Sequence, residues 1–203
     1  MLPGNSQILT CPFCGGEKQI MSLASGNTFG AEFWSDNKQI APMLPEISYI
    51  QKCPHCGKYY IRGRQEIKYA KDSSSFDQGL LGFSEMKEAY KQLSDEGFEN
   101  LEEEISVRMM MFHSFNDYYY RREEKMSVNI SDFEQFVEQG KWLIENVITD
   151  TILKAEFYRE IGEMDKAKEL LEDFTSDDEF LQEICQSIKV KIVTNDTKVF
   201  RIR

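Results

Sequence analysis

Four of the five cysteines lie in two matching arms, Cys11-Pro12-Phe13-Cys14-Gly15 and Cys53-Pro54-His55-Cys56-Gly57. Three chemistries fit such arms. In the first, all four thiolates hold one structural zinc ion. Proline stiffens each arm, and the glycine after it can take the left-handed conformation that turns backbone N–H groups toward sulfur. Four thiolates complete a tetrahedron and leave no position for water. In the second, each Cys-x-x-Cys is a thiol–disulfide centre. That chemistry wants the nucleophile at a helix N-terminus, where its pKa falls. Gly15-Gly16 and Gly57 discourage a helix, the flanks read as strands, and no βαβ pattern surrounds them. In the third, the arms bind separately or bridge chains. Structural zinc on Cys11, Cys14, Cys53 and Cys56 is the favoured reading.

Thirty-eight residues separate Cys14 from Cys53, about twice the usual ribbon interval of 15–20. Doubling a loop costs only about 0.6 kcal/mol of closure entropy. A structural zinc site contributes about 10–16 kcal/mol in apparent terms, so the long insert is no obstacle. A hairpin carrying Phe29, Phe33 and Trp34 is expected within it.

The elements that must position these arms are short strands. Gln19-Ile20-Met21-Ser22-Leu23 alternates, Ser25-Gly26-Asn27 and Ser35-Asp36-Asn37 read as turns, and Ala41-Pro42-Met43-Leu44-Pro45 cannot be helical. Ile47–Ile50 leads into the second arm and Lys58–Arg62 leads out. So small a segment needs a staple besides its apolar core. The polar stretch Lys71–Ser75 marks the boundary, giving a ribbon domain over 1–70 and a helical domain over 76–203. The expected fold class is α+β: a small β zinc ribbon, then an all-α set of helical hairpins.

Six helices are expected. The first spans Ser84–Asp95. The second opens at Asn100 with a face of Leu101, Ile105, Met109, Phe112 and Tyr119, and Asn116-Asp117 could kink or end it. The third starts at the capping box Ser131-Asp132-Phe133-Glu134 and carries Phe133, Phe136, Val137, Gly140, Ile144 and Val147. The fourth runs over Thr151–Ile161 and stops at Gly162. The fifth spans Asp165–Phe174, and the sixth starts at the box Ser176-Asp177-Asp178-Glu179. Short connections make neighbouring helices antiparallel. The tail Lys198–Arg203 alternates like a short strand.

Charge is unevenly spread. The net charge is −11, with 7 Lys/Arg against 5 Asp/Glu in residues 1–70 and 17 against 30 in residues 71–203. An acidic helical half is a poor counterpart for a phosphate backbone and suits a partner with a basic surface. No apolar run approaches the roughly 20 residues of a membrane span, and the N-terminus lacks a signal-peptide pattern. The expected compartment is cytoplasmic, where thiols stay reduced and available to metal.

Residues 8–62 resemble rubredoxin-like zinc ribbons. Ala155, Tyr158, Gly162, Ala167, Leu171 and Phe174 have the spacing of one tetratricopeptide-type repeat. Lys154 departs from the apolar residue usual there, and no proline closes the repeat. The whole layout resembles bacterial proteins that join an N-terminal zinc ribbon to a short tetratricopeptide-like array. Ser25–Gly30, Trp34-Ser35-Asp36, Ala41–Pro45 and Phe115-Asn116-Asp117 fit that likeness. It implies no activity.

Other candidate residues read as structural. His55 is surplus beside four thiolates and faces solvent. His113 packs beside Phe112 and Phe115, and as a base it would need a partner the sequence does not supply. Cys185 sits on the apolar stripe of the sixth helix. Tyr118-Tyr119-Tyr120-Arg121-Arg122 could stack bases, but Asp117, Glu123 and Glu124 cancel its field. Glu102-Glu103-Glu104 suits the first turn of a helix. Trp34 and Trp142 read as core or domain-contact residues. No catalytic residue stands out. The reading is a non-enzymatic zinc protein acting as an interaction or scaffold module, with a protein or peptide partner on the helical domain and no membrane. One alternative is a nucleic-acid-associated ribbon using Lys52, Lys58, Arg62, Arg64 and Lys68. The other is a thiol–disulfide oxidoreductase.

Overall fold

Among the described residues nine short strands precede six helices, an α+β arrangement. The computed structural model describes residues 1–71, 75, 77–124 and 126–202. The boundary read at Lys71–Ser75 falls for residues 72–74 outside the described residues, as do Phe76 and the terminal Arg203. The chain forms two compact units. One comprises residues 1–31 and 40–103, the other residues 32–39 and 104–203. No helix among the described residues is long and apolar enough to cross a membrane.

In the first unit, β2 (Gln7–Thr10) pairs antiparallel with β3 (Glu17–Ile20), Gln7 opposite Ile20 and Thr10 opposite Glu17. The other edge of β2 takes β9 (Lys68–Tyr69). A second ladder joins β7 (Ile50–Lys52) to β8 (Tyr59–Ile61), and β1 (Leu2–Pro3) pairs with β4 (Leu23–Ser25). Each of the two main hairpins carries a cysteine arm at its tip. Inward residues of both meet in one apolar cluster of Leu9, Cys11, Ile20, Cys53 and Tyr60.

Helix α1 (Phe83–Glu96) belongs to this unit. Its Gln92 side chain accepts from the Tyr59 N–H at 3.0 Å and donates to the Tyr59 carbonyl at 2.8 Å. The amide thus occupies the exposed edge of β8 as another strand would. Glu88 accepts from the Tyr59 hydroxyl at 2.8 Å, and Glu85 takes Lys52 Nζ at 2.8 Å. Phe83, Met86, Ala89, Tyr90 and Leu93 supply the buried face.

The second unit begins with the turn 32–39, flanked by β5 (Glu32–Phe33) and β6 (Gln39–Ile40), which pair with each other. A hairpin forms here with Phe33 and Trp34 but without Phe29, turning at Asn37 (φ 65°) with the Trp34 N–H bonded to the Lys38 carbonyl. Helix α2 (Leu101–Tyr119) contributes residues 104–119. Then come α3 (Ile130–Asn146), α4 (Thr151–Glu160), α5 (Met164–Glu172) and α6 (Glu179–Val193). Phe112 stacks between Phe136 and Phe157 at centroid distances of 4.2 and 4.3 Å, and Phe115 stacks on Phe136 at 4.2 Å. A smaller cluster of Ile152, Ala155, Leu171, Cys185 and Ile188 joins α4, α5 and α6. Trp34 forms an antiparallel bridge with Arg201 of the tail.

Several helix details differ from the expected ones. Asn129, not Ser131, caps α3, its side chain accepting from the Ser131 N–H. Asp178, not Ser176, caps α6. In α2 the buried face runs through Val107, Met111, Phe112, Phe115 and Tyr119, while Leu101 is exposed. The Met109-Met110-Met111-Phe112 run is apolar in every phase, so periodicity could not choose the face. Asn100 caps α2 as read, accepting from the Glu103 N–H at 3.0 Å. The Glu103 carboxylate reaches back to the Glu99 N–H.

Candidate metal centre

The two arms have the same backbone construction. The Gly15 N–H donates to the Cys11 carbonyl at 3.0 Å, as Gly57 does to Cys53 at 3.0 Å. Cys11 N–H donates to the Gly16 carbonyl and Cys53 N–H to the Lys58 carbonyl, closing each arm onto its hairpin. Gly15 and Gly57 have φ of 72° and 75°, a region where a Cβ is strained. Neither arm starts a helix; residues 12–14 and 54–56 are turns between strands.

This construction brings all four sulfurs within 4.8 Å of one another. Two pairs cross between the arms: Cys11 Sγ to Cys56 Sγ at 3.7 Å and Cys14 Sγ to Cys53 Sγ at 3.6 Å. A zinc–sulfur bond of about 2.3 Å implies tetrahedral sulfur–sulfur edges of about 3.8 Å. The cluster therefore has the dimensions of a four-thiolate metal site. Cys11 and Cys53 are buried, whereas Cys14 and Cys56 face solvent.

The electrostatics point the same way. Desolvation opposes ionisation of Cys53, but the Cys56 and His55 N–H groups and the Cys14 and Cys11 thiols hold it down to about 6. Cys14 receives the Gly16 N–H, yet desolvation and the other three thiols push it up to about 12. Burial and the neighbouring thiols raise Cys11 too, against N–H groups of Phe13 and Cys14. One thiolate is thus easy to form, and further ones meet the negative charge already present. A cation at the centre of the four sulfurs removes that resistance.

His55 stands outside the sulfur set, exposed, with Nε2–H donating to the Glu17 carbonyl at 3.1 Å. Its ring lies where a Cβ on Gly16 would go, so the second arm packs directly on the first. Lys58 sits over the Phe13 ring at 4.4 Å. The basic residues of the nucleic-acid alternative are largely engaged. Lys52 pairs with Glu85, Arg64 with Glu99 and Glu103, and Lys68 with Glu17, while Arg62 donates to Gln7.

The second unit holds a polar network that sequence reading missed. Asp36, fully buried, accepts from Arg121 Nη2 and from Asn116 Nδ2 at 3.0 Å. The His113 ring donates from Nε2 to the Asp36 carbonyl at 3.1 Å, with the carboxylate 3.8 Å away. Burial lowers the His113 pKa more than Asp36 raises it. Asp36 is burdened by desolvation, yet His113 and Arg121 hold it below the usual carboxylate range. Arg121 also takes Asp117 at 2.7 Å and lies over the Trp34 ring at 5.0 Å. Trp142 lies under Arg108, and Arg122 over Tyr118. Partners of Asp36 lie 77 to 85 residues away. No local pattern announces such pairs; an acidic residue in an Asx-type turn was the visible part. Cys185 is buried in the apolar cluster, as its stripe position implied.

Along α6, the Glu179–Lys189 face and the Phe174–Ser176 connection border an open cleft of about 670 Å³. The chain matches no protein-family model, no curated protein and no solved structure.

Proposed function

We propose that this chain is a non-enzymatic zinc-binding protein that presents its helical unit to a protein partner with a basic surface. The observation that carries the zinc reading is the sulfur cluster, with cross-arm distances of 3.6 and 3.7 Å. A zinc ion held there by Cys11, Cys14, Cys53 and Cys56 would staple two hairpins and have no open coordination position, the signature of a structural site. The helical unit is read as a short tetratricopeptide-like pair followed by a capping helix. In support, α4 packs most extensively on α5, Ala155 and Ala167 are fully buried, and Gly162 turns between the helices with φ 86°. The likeness to bacterial ribbon-plus-repeat proteins belongs to the same proposal.

Two measurements on the full chain test it. Native mass spectrometry should give one zinc per chain, held more weakly on substitution of any of the four cysteines. Capture with the zinc-loaded chain should return a reproducible protein partner whose binding weakens with salt. A chain that holds no zinc, or a partner bound without regard to salt, would overturn the respective half of the reading.

A further inference from the structure

Glu160 at the end of α4 and Asn116 of α2 are both completely buried. Asn116 Nδ2 donates one hydrogen to Glu160 Oε2 at 2.8 Å and the other to Asp36 Oδ2 at 3.0 Å. The remaining oxygens, Asn116 Oδ1 and Glu160 Oε1, are buried without a hydrogen-bond partner. If Glu160 is a carboxylate, both are acceptors and neither can serve the other. A proton on Oε1 would turn it into a donor, and Asn116 Oδ1, on the amide already bonded to the other oxygen of the same carboxyl, is an acceptor without one.

The surrounding charges leave Glu160 without a cation of its own. On its own helix, Arg159 grips Glu156 through Nε at 2.7 Å and through Nη2. It spends Nη1 on the Asp196 carbonyl and Nη2 also on the Lys198 carbonyl at 3.1 Å. Its nearest approach to Glu160 is 3.9 Å, beyond a hydrogen bond. From α2 and the residues just after it come Asn116, His113, Tyr120 and Arg121, and Arg121 is committed to Asp36 and Asp117. From the 32–39 turn comes Asp36, already ionised. From the tail comes Asp196, paired with Lys191 at 2.7 Å.

We propose that Glu160 is a neutral carboxylic acid in the folded protein, donating its proton to Asn116 Oδ1, and that this proton latches the 32–39 turn to the helices. Burial, followed by the charges of Glu156 and Asp36, raises its pKa well above the usual carboxylate range, against Arg159 and Asn116. Asn116 is the hinge of the latch, because it holds Glu160 with one hydrogen and Asp36 with the other. Loss of the proton places an unpaired carboxylate at that junction.

The linkage has a definite sign. The unfolded chain releases the Glu160 proton above about pH 4.3, whereas the folded protein keeps it. Stability from this group is therefore fully present below that pH and falls as pH rises, by tenfold in the folding constant per pH unit, until the native acid titrates. Glu160→Gln tests this, since a glutamine amide can donate to Asn116 Oδ1 and accept from Nδ2 without titrating. Both tryptophans, Trp34 and Trp142, belong to the helical unit, so fluorescence-detected denaturant unfolding of the full chain follows it. The wild-type folding constant should fall relative to Glu160→Gln by tenfold per unit across a pH series. With Trp142→Phe as background, Trp34 emission should shift at alkaline pH only when Glu160 is present. A ratio that does not change with pH, or that moves in favour of wild type as pH rises, overturns the proposal. Should Glu160→Gln fail to fold, infrared spectra of the wild type decide. A protonated-carboxyl carbonyl band that persists at neutral pH supports the latch, and its absence overturns it.

Discussion

Replacing Cys14 or Cys53 by serine removes one thiolate in each case, but from different surroundings. An equal quarter of the apparent zinc contribution is about 2.5–4 kcal/mol, so either change should weaken zinc binding roughly 10²–10³-fold. The metal-free chains should then differ. Cys53 is buried against Leu9, Ile20 and Tyr60, while Cys14 faces solvent. A buried serine hydroxyl costs about 1–3 kcal/mol when poorly paired. The His55 N–H, 3.4 Å from Cys53 Sγ, offsets part of that. In a unit of this size each kcal/mol moves the melting temperature by about 4–8 °C. Competition against a chromogenic chelator measures affinity, and circular dichroism melts in excess chelator measure the metal-free fold. Cys14→Ser should melt with the chelated wild type, and Cys53→Ser several degrees below it. Full zinc stoichiometry and affinity in either variant would refute the four-thiolate assignment. Equal metal-free melts would refute the argument from burial.

Three further outcomes follow from the packing and the charges. Gly140→Ala should destabilise the helical unit by about 1–3 kcal/mol in denaturant unfolding, because its Cβ would stand 2.5 Å from Ile161 Cγ2 and 3.1 Å from Phe112 Cε2. A gain in stability, as helix propensity alone predicts, would count against that close approach. Arg64→Ala should cost about 1–3 kcal/mol, since Arg64 meets the buried Glu103 through Nε at 2.9 Å and Nη2 at 2.5 Å; a melt within error of wild type would show the pair to be idle. Asp36→Asn should remove part of the acid sensitivity of the helical unit. The native Asp36 pKa is depressed, so its contribution is present above about pH 3.9 and lost as pH falls below that value. An unchanged acid limb in tryptophan fluorescence would contradict this.

The four-cysteine cluster was legible because its information is local. Cys-Pro-x-Cys-Gly prescribes its own turn, and Gly15 and Gly57 take the left-handed φ that the motif needs. Helices were legible where a cap or glycine marks an end, as at Asn100 and Gly162. Two things were hidden. The face of α2 could not be phased through four consecutive apolar residues. The buried network depends on contacts across 44 to 85 residues, among them Asn116 with Glu160 and Arg121 with Asp36. Charged residues read from sequence as turn or solvated positions are instead at the centre of the unit, where their cost is met only by one another.

The same contrast bears on why the 32–39 turn departs from chain order and why α1 stays with the strands. The chain contributes residues 1–31 to the first unit, 32–39 to the second, and 40–103 again to the first. A polar turn gains little by burying itself unless its charge is met, and Asp36 is met by Arg121, Asn116 and His113 together. An amphipathic helix whose apolar face carries Phe83, Met86, Tyr90 and Leu93 needs a surface. On another face of α1, Gln92 and Glu88 bind the β8 edge through Tyr59. A side-chain amide takes part in both, Gln92 in one case and Asn116 in the other. Each donates with its nitrogen to an acceptor distant in sequence, the Tyr59 carbonyl in one case and the Glu160 and Asp36 carboxylates in the other, a role no periodicity in the sequence encodes.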